Sequence, residues 1–476
     1  MQTRSGRGRS SPIRRATLGL TLFIACTGIG AQQTTEPTPT PAHGSATFKF
    51  TDVDLELLDK SNQLDRHLND RGLVYDDPKL TEYITALGND LLPPGDEPEH
   101  VTWKFHVLRD PIPNAFALAN GSIYLNSGLL ALLENEAQLA SVMAHEETHV
   151  LNRHPYLENR SYRKKALTAN ILAGIGAAGG NAGGIGGAVS ILFGAVAPAI
   201  VETTIFGYSR ELEKEADIHA VGAINQADYS TEEMVIAFKL LEKSHEVELS
   251  HVFYQDHPKL EDRIGYITET IHNTPPHTHH PMVEAERYVR ETEGVSRENV
   301  GLDIRAGRER TALFVAQRIT KQNPSSSEDS RALGDAYRAL GPRAPEPTSD
   351  ELSSKGKKDA RKMEAKFTDQ EYENTLAATP EGKAALSASQ AQAETAYRRA
   401  IELDPGNAAA YRGLGFLYEK QQKLAQSAEE FRKYLELAPS ALDAGQIHRR
   451  LEIAEKSSQP ATTPAAPQDP GVTPKP

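Results

Sequence analysis

Cysteine is all but missing. Cys26 is the single one in 476 residues, so no disulfide can form within the chain, whatever the redox poise around it. Long apolar runs are missing too. Residues 166–201 carry no charge, but nine glycines, from Gly174 to Gly194, interrupt them, and each costs about 1 kcal/mol against alanine in a helix interior. A single membrane-spanning helix is therefore excluded, and two short apolar helices joined by a flexible bend are expected instead. The third shortage is positive charge. The formal net charge is −13, although Arg4, Arg7, Arg9, Arg14 and Arg15 all lie in the first fifteen residues, so the rest of the chain is more acidic still. Such a chain is a poor partner for nucleic acid or an anionic lipid surface.

What is present begins with those arginines. They precede an apolar run over residues 16–25 and then small residues up to Ala31, the order of a secretory signal too short to span a bilayer. Cleavage after Ala31 would remove Cys26. Lipidation of Cys26 is the alternative, on a loose match to a lipoprotein signal. The pair Arg14-Arg15 also admits twin-arginine export, its plainer reading being two more leader charges. We expect residues 1–31 to be a signal peptide and residues 32–47, rich in Thr and Pro, a disordered tether. The length then allows more than one core.

Residues 48–270 should form one domain of mainly helical α+β class with a small β-sheet. Helical patterning over residues 52–91 is followed by β-like runs over residues 101–108 and 121–126. Residues 271–283, with His277, His279 and His280, read as a solvated linker, since these histidines lack fixed spacing on a regular element. Beyond it, Tyr397, Ile401, Leu403 and Pro405 recur as Phe431, Leu435, Leu437 and Pro439, each at an offset of 34 residues, which is the tetratricopeptide period. A partial copy, Pro324 with Leu333-Gly334 and Tyr337, lies 81 residues upstream of Pro405, Leu414-Gly415 and Tyr418. This divides the remainder into a helical partial repeat (284–342), a charged insert (343–383), repeats (384–455) and a disordered tail (456–476). Stacked helix pairs bind peptides or partner proteins, so this array should recruit rather than catalyse.

The chemistry sits at His145-Glu146-Glu147-Thr148-His149, an H-E-x-x-H pattern on a helix expected over residues 135–152. At about 100° per residue, His145 and His149 lie about 40° apart and can present two imidazoles to one metal. Glu146 falls on the inward half with Leu139, Val142, Met143 and Val150, where a carboxylate needs a partner or a task. Glu147 points about 180° from the middle of the histidine pair, so it is the poorer base. A third ligand is required. Residues 211–217 offer carboxylates on a second helix, with Glu213 and Asp217 on one face and Glu211 and Glu215 on the other. Periodicity leaves either pair open.

Asn135-Glu136 before the motif, Glu213-x-x-Ala216-Asp217 after it, and Asn114-Ala115-Phe116-Ala117 with Gly128-Leu129-Leu130 upstream resemble the HtpX-like and CAAX-prenyl-protease-like gluzincins. The plan of the chain resembles their periplasmic branch, which joins a signal peptide and a C-terminal tetratricopeptide array to such a domain. The resemblance covers about residues 48–267 and the plan of the repeats. It implies one Zn2+ per chain held by His145, His149 and Glu213, with Glu146 as general base and Asp217 orienting a ligand histidine or donating a proton. His257-Pro258 with Arg263-Ile264 resembles a further family element. It makes His257 a candidate for the open zinc position or the oxyanion, against a capping or core histidine. The family carries an apolar and then a small residue where Glu147 and Thr148 stand, which puts the local helix packing in doubt.

The resemblance implies a zinc metalloendopeptidase exported to the periplasm, peripheral at the outer membrane, acting on unfolded or misassembled envelope proteins brought by the repeats. The alternative is a non-enzymatic chaperone or scaffold keeping a structural zinc, although such sites are usually closed by four protein ligands and need no base. Two further expectations concern access. Residues 121–125 should be an edge strand that pairs with extended substrate, and the glycine-rich segment should cover the cleft or touch a membrane surface.

Overall fold

The computed structural model describes residues 48–95, 98–173, 208–248, 260–345 and 369–458. The expectations for the signal, the tether, residues 174–201 of the glycine-rich segment, His257, residues 346–368 of the insert and residues 459–476 of the tail fall outside them. Among the described residues no helix is long and apolar enough to cross a membrane.

The described chain begins with α1 (Asp52–Asp70) and α2 (Pro78–Leu91). The backbone N–H and hydroxyl of Thr51 both donate to Asp54 Oδ2, at 2.7 and 2.6 Å, and fix where α1 starts. At α2 the Asp77 carboxylate accepts the N–H groups of Lys79 and Leu80, and Pro78 occupies a first-turn position where no donor is needed. The sheet follows, with β1 (Lys104–Leu108), β2 (Ala115–Ala117) and β3 (Ser122–Asn126). Its order is β1-β3-β2, β1 parallel and β2 antiparallel to β3. Gly121, which turns the chain into β3, has φ +93°. A Cβ there would stand 2.8 Å from the Thr102 carbonyl oxygen, so only glycine fits.

This order corrects the expectation for residues 121–125. β3 is the central strand, paired on both sides and buried along its length. The edges are β1 and three-residue β2, and of the two it is β2 that packs beside the motif helix. Alternation tells an inward face from an outward one but carries no information on strand order.

Helices α3 (Ser127–Leu132), α4 (Glu136–Leu151), α5 (His154–Ala173), α6 (Arg210–Gln226), α7 (Glu232–Glu248) and α8 (Leu260–Asn273) complete the domain. Its core joins α2, the sheet, α3, α4, α6, α7 and α8 through Ile84, Phe105, Ile123, Leu139, Met143, Val221, Phe238 and Ile267. At the start of α4, Asn135 accepts the Gln138 N–H at 2.9 Å and donates to Glu233 at 2.8 Å. Buried Glu136 accepts the Tyr229 hydroxyl at 2.6 Å and Arg287 Nη1 at 3.2 Å. The helix is thereby pinned at its first turn.

Among the described residues eight further helices follow: α9 (Ala285–Arg305), α10 (Glu309–Gln322), α11 (Ser327–Leu340), α12 (Asp369–Ala378), α13 (Pro380–Leu403), α14 (Ala408–Lys420), α15 (Leu424–Leu437) and α16 (Ala444–Ser458). The repeat period becomes packing here. Tyr397 and Phe431, one period apart on α13 and α15, are both fully buried. Tyr397 lies against Gly334 and Gly413, where a Cβ would come within 2.6 and 2.3 Å of its ring, and Phe431 lies against Gly415 at 2.4 Å. The glycines of Leu333-Gly334 and Leu414-Gly415 are thus where these two rings enter.

Helices α9 to α11 pack onto the preceding domain. The Tyr288 hydroxyl donates to the Leu130 carbonyl at 2.6 Å, and the Ser127 hydroxyl donates to Asn299 Oδ1 at 2.8 Å. Ala131 of α3 shares a cluster with Val300, Leu313, Ala316 and Ala336.

Candidate metal centre

Three helices converge. α4 brings His145, Glu146 and His149, α6 brings Glu213 and Asp217, and α8 brings Arg263 and Tyr266. α4 and α6 lie side by side, which puts the acidic face of α6 against the histidine face of α4. His149, Glu213 and Asp217 have no solvent exposure, while His145 and Glu146 retain 4% each.

His145 Nε2 and His149 Nε2 stand 3.0 Å apart, and Glu213 places carboxylate oxygens 3.5 and 3.8 Å from these two nitrogens. One ligand atom from each of the three residues falls within 4.8 Å of the others. Tetrahedral zinc ligands at about 2.0–2.1 Å from the ion lie about 3.3 Å from one another. Two imidazoles and one carboxylate, buried and converging at that spacing, therefore fit a divalent cation. Of the two faces left open on the second helix, that of Glu213 and Asp217 meets the histidines, whereas Glu211 is exposed and Glu215 is half-buried on the other side.

Asp217 is a neighbour of these three residues. Its Oδ1 lies 2.9 Å from His145 Nδ1, on the far side of the ring from Glu213. Arg263 grips the same carboxylate with two donors, Nε at 2.9 Å and Nη2 at 2.7 Å, and reaches Glu213 Oε2 with Nη1 at 3.1 Å. The Tyr266 hydroxyl also donates to Asp217. Burial alone would raise the Asp217 carboxyl, but Arg263 and His145 hold it below its ordinary value. Burial also works against a charged His145, yet the charge and hydrogen bonds of Asp217, aided by Glu213, push it up to about 9. Asp217 is thus a buried charge paired with Arg263 and hydrogen-bonded by its neighbours, which is how a buried ion is tolerated.

His149 has a different surrounding. The Tyr208 ring stacks on it at 3.8 Å between centroids and 17° between planes, and its Nδ1 lies 2.8 Å from His154 Nδ1. Burial, with the negative charges of Glu146 and Glu213 close by, keeps the Tyr208 phenol well above its usual range and so protonated. Glu147 is 2% exposed, and burial alone pushes its carboxyl well above the usual range. Its angle from the histidines was as expected of a poorer base, but that side of the helix faces protein. Thr148 donates its hydroxyl to the Ala144 carbonyl at 2.7 Å, which accommodates it within the helix.

The comparisons with known proteins agree with this geometry. Residues 78–271 match the model of peptidase family M48, and residues 389–422 match a TPR repeat model. The metalloprotease LoiP of Escherichia coli is 30% identical over 195 residues, covering 40% of this chain and 69% of LoiP. The chain belongs to peptidase family M48. A Vibrio cholerae protein named as a beta-barrel assembly-enhancing protease is 30% identical over 271 residues, 54% of this chain and 52% of that protein. The Escherichia coli beta-barrel assembly-enhancing protease is 42% identical over 89 residues, 19% of this chain and 18% of that protein. The chain thus spans about half the length of the Vibrio relative and less of the Escherichia one. The M48 domain with a C-terminal TPR array is the architecture that the motifs and the 34-residue period implied.

Several residues of the M48 centre escaped the sequence reading. Arg263 was noticed only as part of a resemblance, and Tyr266, one helical turn further along α8, not at all. Tyr208 stands just before α6 with no periodicity to mark it. His154 follows Arg153, a residue with φ +61° that breaks the register between α4 and α5, so helical spacing from His149 does not reach it.

Proposed function

We propose that the chain is a zinc-dependent metalloendopeptidase of the cell envelope. The observation that carries this is the buried convergence of His145, His149 and Glu213, with ligand atoms within 4.8 Å of one another. These three residues would hold the ion, which supplies Lewis acidity, acidifying water and polarising a peptide carbonyl. Glu146, next to His145 on α4, accepts the proton of the attacking water and returns it to the leaving nitrogen, and among the described residues no other group of the centre suits this task as well. Burial pushes the Glu147 carboxyl well above its usual range, and Asp217 is occupied by Arg263, Tyr266 and His145. Asp217 and Arg263 act by orienting: they fix the His145 ring and aim Glu213.

Substrate enters along β2. In the antiparallel ladder Leu118 N–H donates to Ser122 O and Asn126 N–H to Asn114 O. By the alternation of such ladders the N–H and C=O groups of Ala115 and Ala117 point away from β3, and an extended peptide can pair with them. Backbone pairing gives affinity with little dependence on side chains, as suits clearance of unfolded or misassembled proteins. The TPR array recruits those substrates or their carriers. The names of the beta-barrel assembly-enhancing relatives, together with the leader-like order of residues 1–31, support a periplasmic role in outer-membrane protein assembly and quality control, with contact at the outer membrane peripheral.

The test compares metal content and casein cleavage in the native protein and Glu146→Gln. We expect stoichiometric zinc in both and a loss of about 10²–10⁴-fold in cleavage rate in the variant. Zinc in both with casein intact in both would replace this reading by the scaffold.

A further inference from the structure

His145 and His149 differ in what stands behind them. Behind His145 is a carboxylate, Asp217, as the H-E-x-x-H geometry invites. Behind His149 is another imidazole. Its Nδ1 faces His154 Nδ1 at 2.8 Å, both rings without solvent exposure, and the rings are inclined at 70° with centroids 5.0 Å apart. On its other side His154 turns Nε2 towards Glu215 Oε2 at 3.7 Å, and that carboxylate accepts Asn152 Nδ2 at 2.8 Å through its second oxygen.

Two facing nitrogens permit one hydrogen between them, and the ligand assignment says where it sits. His149 Nε2 looks towards His145 and Glu213 and must keep its lone pair for a cation. A neutral His149 then carries its hydrogen on Nδ1 and donates it to His154 Nδ1. His154, accepting at Nδ1, carries its own hydrogen on Nε2, the nitrogen that faces Glu215. We propose that His154 is a positioning residue for the metal centre: it selects the metal-binding tautomer of His149 and fixes the plane of its ring. Glu215, on the face of α6 opposite the ligand Glu213, stands 3.7 Å away, where its charge favours a hydrogen on His154 Nε2. Each face of α6 then serves one histidine of α4, Asp217 directly and Glu215 through His154. The tight turn at Arg153, φ +61°, is what brings His154 back over His149.

This inference rests on His145, His149 and Glu213 holding a metal, and the experiment separates the two. Zinc affinity is measured by chelator competition on the native protein, His154→Leu and His154→Asn, together with the visible spectrum of each cobalt form and the thermal midpoint of each metal-free form. Leucine removes the acceptor, whereas asparagine returns a carbonyl oxygen near the place of Nδ1. We expect His154→Leu to bind zinc about 10–100-fold more weakly with an altered cobalt spectrum, and His154→Asn to recover most of the affinity. Native affinity and an unchanged cobalt spectrum in His154→Leu would overturn the assignment, as would equal losses in both variants at equal metal-free midpoints. Failure of the native protein to bind zinc would instead remove the metallopeptidase reading beneath it.

Discussion

Asp54 and Glu147 are both buried carboxyls, and their neighbours send them in opposite directions. Asp54, on the first turn of α1, has no exposure, and burial alone would raise it. It accepts Thr51 and the guanidinium of Arg160 on α5, Nε at 2.9 Å, and these hold it below its ordinary value. Glu147 has burial alone acting on it and rises. For Asp54 the sign follows directly. A carboxyl depressed in the folded state adds stability above its ordinary value of 3.8, and that stability disappears as the pH falls through the folded value. We therefore expect Asp54→Asn to destabilise the protein at pH 7 by about 2 kcal/mol. Thermal midpoints across pH should show the gap to the native protein narrowing below the ordinary Asp value. A gap independent of pH would mean that the pair contributes packing and not charge.

At the scale of elements, the helices of the centre were legible because each carries its own boundary. Asn135 caps α4, and the spacing of Leu139, Val142, Met143 and Val150 marks one inward face. The repeats were legible because the set Tyr397, Ile401, Leu403 and Pro405 recurs at a fixed distance of 34 residues. What local sequence does not contain is the partner of an apolar stripe or the order of strands. The central position of β3 and the seating of α9 to α11 on the M48 domain depend on contacts between residues far apart in the chain. The same limit hid His154, whose place depends on one left-handed residue. The strand order also moves the expected place of substrate pairing from residues 121–125 to β2. Proline at Ala117 removes an N–H that points away from β3 and leaves the ladder intact. We expect Ala117→Pro to raise KM for unfolded protein substrates by about tenfold, roughly 1.4 kcal/mol of lost pairing, with zinc content unchanged. Unaltered steady-state kinetics would exclude β2 as the docking edge.

At the scale of the molecule, one tie between the array and the M48 domain is Arg318. Both Nη atoms of this α10 residue donate to carbonyls at the end of α3, those of Ala131 and Leu133, three residues before α4 begins. Burial lowers its basicity, and nearby Tyr288 and Glu134 oppose that. Arg318→Met keeps the stem and strands two buried carbonyls, so we expect a loss of about 3 kcal/mol. Amide hydrogen exchange should accelerate over α3 and the start of α4, with α14 to α16 unaffected. Exchange confined to α10 would show that the two parts are not coupled there.

The seating of α9 to α11 also bears on inheritance. Glu136, at the head of the helix that carries both histidines, is held by Arg287 of α9, and the Leu130 carbonyl is held by Tyr288. A genetic crossover that grafted a different array at the His/Pro linker would strip Glu136 of Arg287, leaving it Tyr229, and the Leu130 carbonyl of Tyr288. Peptidase and array are therefore bound to be passed on together, and a lineage can change what this array captures only by altering it in place.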